Sequence, residues 1–525
     1  MKKKLPLIIA ALSLAPLSVN AMPPALPEVI DQDAASLQAA MTERGLSSVA
    51  IVQAYLDRIR FIDDSGPALN AVIAVFPDAI DQARRLDAER AAGRVRGPLH
   101  GIPVLIKDNI EVAGPLATTA GALALANNVT DRDAFLVARL RAAGAVILGK
   151  TNLSEWANFR ASNSSSGWSA VGGLTRNPHD LSRSACGSSS GSGAGVAASF
   201  APIAIGTETD GSIVCPAGIN GIVGFKPTVG LISRTHIVPI SATQDTAGPM
   251  TLTVRDAATA LTIMAGTDTA DPATAMAHEV QQDYGAALRP DALKGRRIGV
   301  LMDRIGTRDD IRRLLEAALA VMIEQGAQIV RIEDSRTGLE GLGDAEYAVL
   351  LTEFKVGMAA YLASLPGADM PRSVQALILF NAANPAGLRW FGQDVFVAAE
   401  ATTGLDSTDY RAARDKAARL AGPDGIDRLL KTHAVDLLIG VTNGPAWTSD
   451  LINGDNFAGP SASQLPAVAG YPHLTVPMGT VEGLPIGISF IGRKWSDAEV
   501  LAAGNAYEQA SAKRVRPGYR VAVMP

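Results

Sequence analysis

Apolar residues recur along this chain in two periods. Val49, Ile51, Val52, Tyr55, Leu56 and Ile59 fall on one stripe at helical spacing with Asp57 and Arg58 outside it, which predicts an amphipathic helix. The stretch FPDAIDQARRLDAERAAGR repeats that period and stops at Gly93. GIPVLIKDNI is too short for a helix and rich in β-branched residues, so it reads as a buried strand ending on Lys107. DAFLVARLRAAGAVILGKTN predicts a helix to about Ala143, a stop at Gly144 and a strand from Ala145 to Leu148.

From Asp291 the order strand, helix, strand returns in RRIGVLMD, DDIRRLLEAALAVMIEQG and AQIVRIE. VDLLIGVT, HLTVPMG and LPIGISFIG predict further buried strands, and DAEVLAAGNAYEQASA a helix after them. Strands alternating with helices predict an α/β protein built on a large, mostly buried sheet. No fixed-period repeat or low-complexity linker is visible. The region from about 271 to 436 is poorest in motifs, and is the candidate for shaping substrate preference.

Composition changes the picture little. With 525 residues, 47% hydrophobic and 19% charged, the chain has ample material for a core, which excludes disorder. The first residues matter more. MKKKLPLIIAALSLAPLSVNA places Lys2, Lys3 and Lys4 before an apolar run from Leu5 to about Leu17, with small residues leading to Ala21. That is the pattern of a secretory leader cut after Ala21. The run is too short to span a bilayer and contains Pro6 and Pro16. The expectation is a periplasmic or secreted protein, residues 22–525, with no membrane partner after cleavage.

The leader carries three lysines and no acid, so its loss moves the formal charge from −5 to −8. No basic cluster compensates, and nucleic acid is not an expected partner. Cys186 and Cys215 are the only cysteines, too few for a disulfide scaffold. An oxidising compartment allows them to pair; the expectation is two buried thiols.

Both lie in SACGSSSGSGAGVAASFAPIAIGTETDGSIVCPAGINGIVGFKPT, which starts at Ser184. A flexible linker does not accommodate its apolar AGVAASFAPIAIG. A dinucleotide cradle around GSGAG lacks the preceding strand, because NPHDLSRSACG is polar and broken by proline. Gly187-Ser188-Ser189-Ser190-Gly191 matches a nucleophile elbow centred on Ser189 but lacks the same strand. A fourth reading joins two backbone devices, a glycine-flanked turn holding the Ser188 hydroxyl and a turn Thr209-Asp210-Gly211-Ser212. The second presents a hydroxyl beside N–H groups able to receive an oxyanion.

These residues resemble the amidase signature family. ACGSSSG, GTETDGSI and GFKPTVG match its signature, GIPVLIKDN its lysine strand, GKTNLSEWA its helix start, and DTAGPMTLTVRDA, AVAGYPHLTVPMG and GLPIGISFIGR its later segments. Within the family the chain is most similar to bacterial peptide amidases. The resemblance implies one large domain with a central mixed, twisted sheet covered by helices. It implies a serine amidase in which Ser212 is the nucleophile, Ser188 a bridging serine after a cis Gly187–Ser188 bond, and Lys107 the base. No metal or organic cofactor is implied, and the expected partner is a small-molecule or peptide amide.

A lysine serves as a base only when neutral, which burial favours. At a strand end Lys107 would otherwise keep its ammonium in water. The six histidines, His100, His179, His236, His278, His433 and His473, form no visible pattern with a serine motif. Ser189 and Ser190 read as turn hydrogen bonders and Ser184 and Ser192 as structural. Asp108, Asn109, Asn152 and Glu208 are the expected supports. Glu208, Asp210 and Val214 stand where the family often has Asp, Gly and Arg. Rival readings are an amidase of non-peptide aliphatic or aryl amides, a Ser-His-Asp hydrolase at Ser189, and a periplasmic solute-binding protein.

Overall fold

A computed structural model describes residues 29–367 and 370–522. The apolar runs that predict strands assemble into one mixed sheet. Its first strands are β1 (Val72–Val75), β2 (Pro103–Lys107), β3 (Val146–Thr151) and β4 (Ile203–Glu208). β5 (Val223–Lys226), β6 (Thr246–Thr251), β7 (Arg297–Leu301) and β8 (Gln328–Ile332) follow. β9 (Leu437–Val441), β10 (His473–Val481) and β11 (Leu484–Ile491) complete it.

The spatial order is β1-β3-β2-β4-β6-β5-β10-β11-β9-β7-β8. β2 runs parallel to β3 and β4, with Lys107 opposite Thr151 and Ile106 opposite Ile205. β9, β7 and β8 form a second parallel group, and antiparallel pairs join the two. The inner strands β2, β4, β9 and β11 are buried along their length, whereas the edge strands β1 and β8 are part-exposed. Helices cover the sheet, which is why the inner strands read as continuous apolar runs rather than alternating ones.

The helix Ser48–Arg58 carries the first predicted stripe, and the helix Phe135–Ala142 ends before Gly144, whose φ is +84°. β3 runs three residues past the predicted Leu148. Gly149, Lys150 and Thr151 are polar or small by type, yet they stay in the sheet because β1 and β2 flank them and Lys150 has a buried carboxylate partner, Asp108.

The motif-poor region is mainly helical. Its helix Leu342–Ser364 packs Phe354, Met358 and Tyr361 with Trp156, Val238 and Ile240. Those last three residues belong to loops at the carboxyl end of the parallel strands, so the region covers one wall of the candidate site. The predicted leader, residues 1–21, lies outside the described residues. No helix among the described residues is long and apolar enough to cross a membrane.

Candidate active site

β3, β2 and β4 end side by side on Thr151, Lys107 and Glu208. Parallel strands leave a crevice beyond their carboxyl ends, and the two Gly/Ser turns fold into it. The first contains a cis Gly187–Ser188 peptide bond and leads into the helix Ser190–Ala197. That helix sits on the strand backbone. A Cβ on Gly191 would overlap the Ala71 carbonyl oxygen and lie 2.7 Å from the backbone N and O of Asn152. Glycine removes the clash, and the Gly191 N–H donates to the Asn152 carbonyl at 2.9 Å.

Lys107 Nζ lies 2.7 Å from Ser188 Oγ, 2.8 Å from Thr207 Oγ1 and 3.3 Å from the Thr207 carbonyl. Lys107 is fully buried, and burial pushes its ammonium down to about 7 against the opposing pull of Asp245 and Glu208. Asn109 Nδ2 also donates to Thr207 Oγ1, at 2.9 Å. A neutral amine has two N–H donors and one lone pair. With its two N–H groups directed at Thr207 Oγ1 and the Thr207 carbonyl, a neutral Lys107 has its lone pair left for the Ser188 hydroxyl proton.

The second turn meets the first one residue beyond Ser188, where the Ser189 N–H donates to the Ser212 carbonyl at 3.1 Å. Ser188 is wholly buried while Ser212 keeps 9% of its surface exposed, so Ser212 is the more accessible of the two. Gly211 has φ +76°, a left-handed conformation that glycine adopts without a Cβ penalty. Among the described residues, the N–H groups of Asp210, Gly211 and Ser212 donate to no protein acceptor, whereas those of Ile213 and Val214 donate to Glu208 Oε2 at 2.8 and 3.0 Å. Consecutive free amides in a turn make a concavity for a negatively charged oxygen.

The expected supports divide. Glu208 holds the segment after Ser212, and Asn109 holds Thr207. Asn152 binds Asn70, Gly173 and Thr175 through its side chain and anchors the Ser190 helix through its carbonyl. Asp108 instead faces away from Lys107, pairing with Lys150 at 3.2 Å and accepting from Thr119. The Thr209 hydroxyl donates to Asp245 Oδ1 at 2.6 Å and its carbonyl accepts from Gln244 at 3.3 Å.

Thr207, Asp245, Lys226 and Glu346 escaped sequence reading. Thr207 was discoverable as the residue that alternates to Lys107's side of β4; Lys226 and Asp245 lie inside the matched segments GFKPTVG and DTAGPMTLTVRDA without being singled out, and Glu346 comes from the motif-poor region with no local signal. Burial lowers the Lys226 ammonium to about 8. Burial and the facing Glu346 carboxyl raise Asp210 above its usual range.

Ser189 does not form an elbow. Its hydroxyl donates to the Thr207 carbonyl at 3.1 Å and accepts from the Thr207 N–H at 3.2 Å. Each histidine has partners elsewhere: His100 with Leu86, His179 with Asn220, His236 with Asp133, His278 with Ala275, His433 with Asp334 and His473 with Ser489. The expectation of two free thiols is also corrected, because Cys186 and Cys215 form a disulfide. The turns converge, bringing together two sulfurs that are 29 residues apart in sequence.

A cavity of about 230 Å³ borders this cluster, reaching Asn109, Thr207 and Thr209 on one side and Ile237, Val238 and Ile240 on another. Glu353 and Gly357 of the helix Leu342–Ser364 close it. Among the described residues, no group of His, Cys, Asp and Glu is arranged to hold a metal ion.

The family model described as Amidase matches residues 50–501. A "Probable amidase" of Arabidopsis thaliana is 39% identical over 490 residues, covering 92% of this chain and 90% of its own. A glutamyl-tRNA(Gln) amidotransferase chain of Symbiobacterium thermophilum is 35% identical over 480 residues, covering 89% and 94%. The solved structure of native peptide amidase from Stenotrophomonas maltophilia superposes with a TM-score of 0.89 at 50% identity, covering 93% of this chain and 99% of that one. With its mixed sheet, its paired Gly/Ser turns and these relatives, the chain belongs to the amidase family, the amidase signature enzymes, and is a hydrolase acting on amides.

Proposed function

We propose that this protein deamidates C-terminal peptide amides through a Ser212, Ser188 and Lys107 relay and an acyl-enzyme. The observation that carries the relay is the 2.7 Å approach of the buried Lys107 Nζ to Ser188 Oγ. A hydroxyl is a weak nucleophile unless a base takes its proton during attack. Neutral Lys107 takes the proton of Ser188, Ser188 takes that of Ser212, and Ser212 Oγ bonds to the amide carbon. The carbonyl π pair moves onto oxygen, which the amides of the 209–212 turn receive.

Collapse breaks the carbon–nitrogen bond as the proton returns from Lys107 through Ser188 to the leaving nitrogen. Ammonia departs from a primary amide. Water then adds to the acyl-enzyme by the same relay, releasing the carboxylate and regenerating Ser212.

The peptide substrate rests on the likeness to the Stenotrophomonas maltophilia peptide amidase and on the cavity. Its wall of Ile237, Val238 and Ile240 suits an apolar side chain, and its polar floor suits backbone groups. The deciding experiment measures ammonia release from amidated dipeptides, aliphatic amides and aryl amides with the purified protein. Peptide amides should give the highest kcat/KM. Preference for the simple amides would replace the peptide reading, and no turnover of any amide would end the relay.

Export belongs to the same reading. The Lys2 to Ala21 segment is taken as a cleaved leader, and a disulfide joining the catalytic turns suits an oxidising compartment.

A further inference from the structure

One buried carboxylate beside the oxyanion turn has no place in the relay. Glu346 lies on the helix Leu342–Ser364 of the motif-poor region and is 6% exposed. Gln464 Nε2 donates to its Oε2 at 2.9 Å, and Gln244 Nε2 donates to its Oε1 at 3.1 Å. The same Gln244 Nε2 donates to the Thr209 carbonyl at 3.3 Å. The Asp210 carboxyl also faces Glu346, and burial together with that neighbouring carboxyl raises it above its usual range.

The Thr209 carbonyl and the Asp210 N–H belong to one planar trans peptide and point in opposite directions. Whatever fixes that carbonyl therefore aims that N–H. Gln244 fixes the carbonyl only while its amino end faces the turn, and Glu346 Oε1, accepting from that same amino group, holds it that way round.

We propose that Glu346 is a positioning residue for the oxyanion-binding amides, acting through Gln244 on the Thr209–Asp210 peptide and directly on the Asp210 side chain. The motif-poor region thereby contributes to the rate as well as to the shape of the cavity. The proposal rests on the amidase relay described above. Because an oxyanion forms only after attack, loss of this support should weaken transition-state binding and spare the bound substrate.

The test is Glu346→Gln, assayed with an amide that the unmodified protein hydrolyses. A peptide aldehyde, whose adduct with Ser212 places an oxyanion in the turn, is compared as an inhibitor with the matching peptide alcohol, which cannot add. The expected result is a fall of roughly tenfold or more in both kcat and aldehyde affinity, a fraction of the loss when a whole oxyanion donor is removed. KM and alcohol affinity should stay within about twofold, as the uniform-binding argument requires. If Glu346→Gln does not fold, Gln244→Met removes the same link with little change of volume, and the same result is expected. Unchanged kcat, or a parallel loss of KM and alcohol affinity, overturns the proposal. Absence of amide turnover in the unmodified protein overturns the relay itself, and this proposal with it, so the two failures are told apart.

Discussion

Cys186 and Cys215 are joined by a disulfide that ties the residue two before Ser188 to the residue three after Ser212. The cross-link spans the two turns whose hydroxyls the proposed relay uses. It therefore limits how far those turns can separate.

The first prediction follows from that constraint. Closing a loop of 29 residues restricts the unfolded chain by about 3–4 kcal/mol in the chain-entropy account. The double variant Cys186→Ala with Cys215→Ala should lose stability of that order in urea unfolding, and should lose activity before it unfolds. An unchanged midpoint would show that the bond adds nothing to the turns.

Removing relay members should separate chemistry from folding. Ser212→Ala is expected to abolish turnover and labelling by a serine-directed fluorophosphonate while keeping the circular dichroism of the parent. Lys107→Met should lower kcat by about 10²–10⁴, the range for a general base. Replacing Ser189 should disturb the Thr207 backbone it bridges without abolishing the label. Labelling that persists in Ser212→Ala and vanishes in a Ser189 variant would move the nucleophile.

The relay also fixes a pH dependence. Burial lowers Lys107 to about 7, so its neutral, proton-accepting form dominates above that pH and is lost as pH falls. kcat/KM should rise with a slope of one in logarithm up to about pH 7 and then level. A flat rate profile down to pH 5 would remove lysine as the base.

Stability should respond to the same group over a different window. In the unfolded chain the amine returns to its ordinary value of 10.5, against about 7 when folded. Between those values the unfolded chain binds the extra proton, so this group's contribution to stability falls as pH falls from 10.5 and levels off below about 7. Urea midpoints of the parent and Lys107→Met, compared across that range, should diverge in favour of the variant as pH is lowered. A constant difference would mean that Lys107 keeps its ordinary value in the fold.

Export makes a chemical prediction. Protein recovered from the periplasm or medium of an expressing bacterium should begin at Met22, checked by amino-terminal sequencing. Recovery of the full-length chain from the cytoplasm, with reduced cysteines, would contradict it.

Much of the sheet was legible because a strand buried on both faces needs an uninterrupted apolar run, as in PVLIK and LLIGV. Signals at turns were equally local: Gly144 and Gly211 mark left-handed positions that other residues adopt at a cost. Gly191 was visible only as composition. Its need for a missing Cβ arises where the Ala71 and Asn152 backbones come close, and neither is near it in the chain. β3 outran its predicted end for the same kind of reason, since Lys150 belongs in a sheet interior only once Asp108 is beside it.

The sequence by itself determined the α/β alternation, the lysine strand and the two turns with their order, because each depends on neighbours a few residues apart. Tertiary structure decided that Lys107 is dry, that Thr207 takes up two of its contacts, that the cysteines meet and that Glu346 reaches the Thr209–Ser212 turn through Gln244. Those outcomes depend on burial and on distances between segments up to hundreds of residues apart. Desolvation and hydrogen-bond geometry exist only after the chain has closed around them.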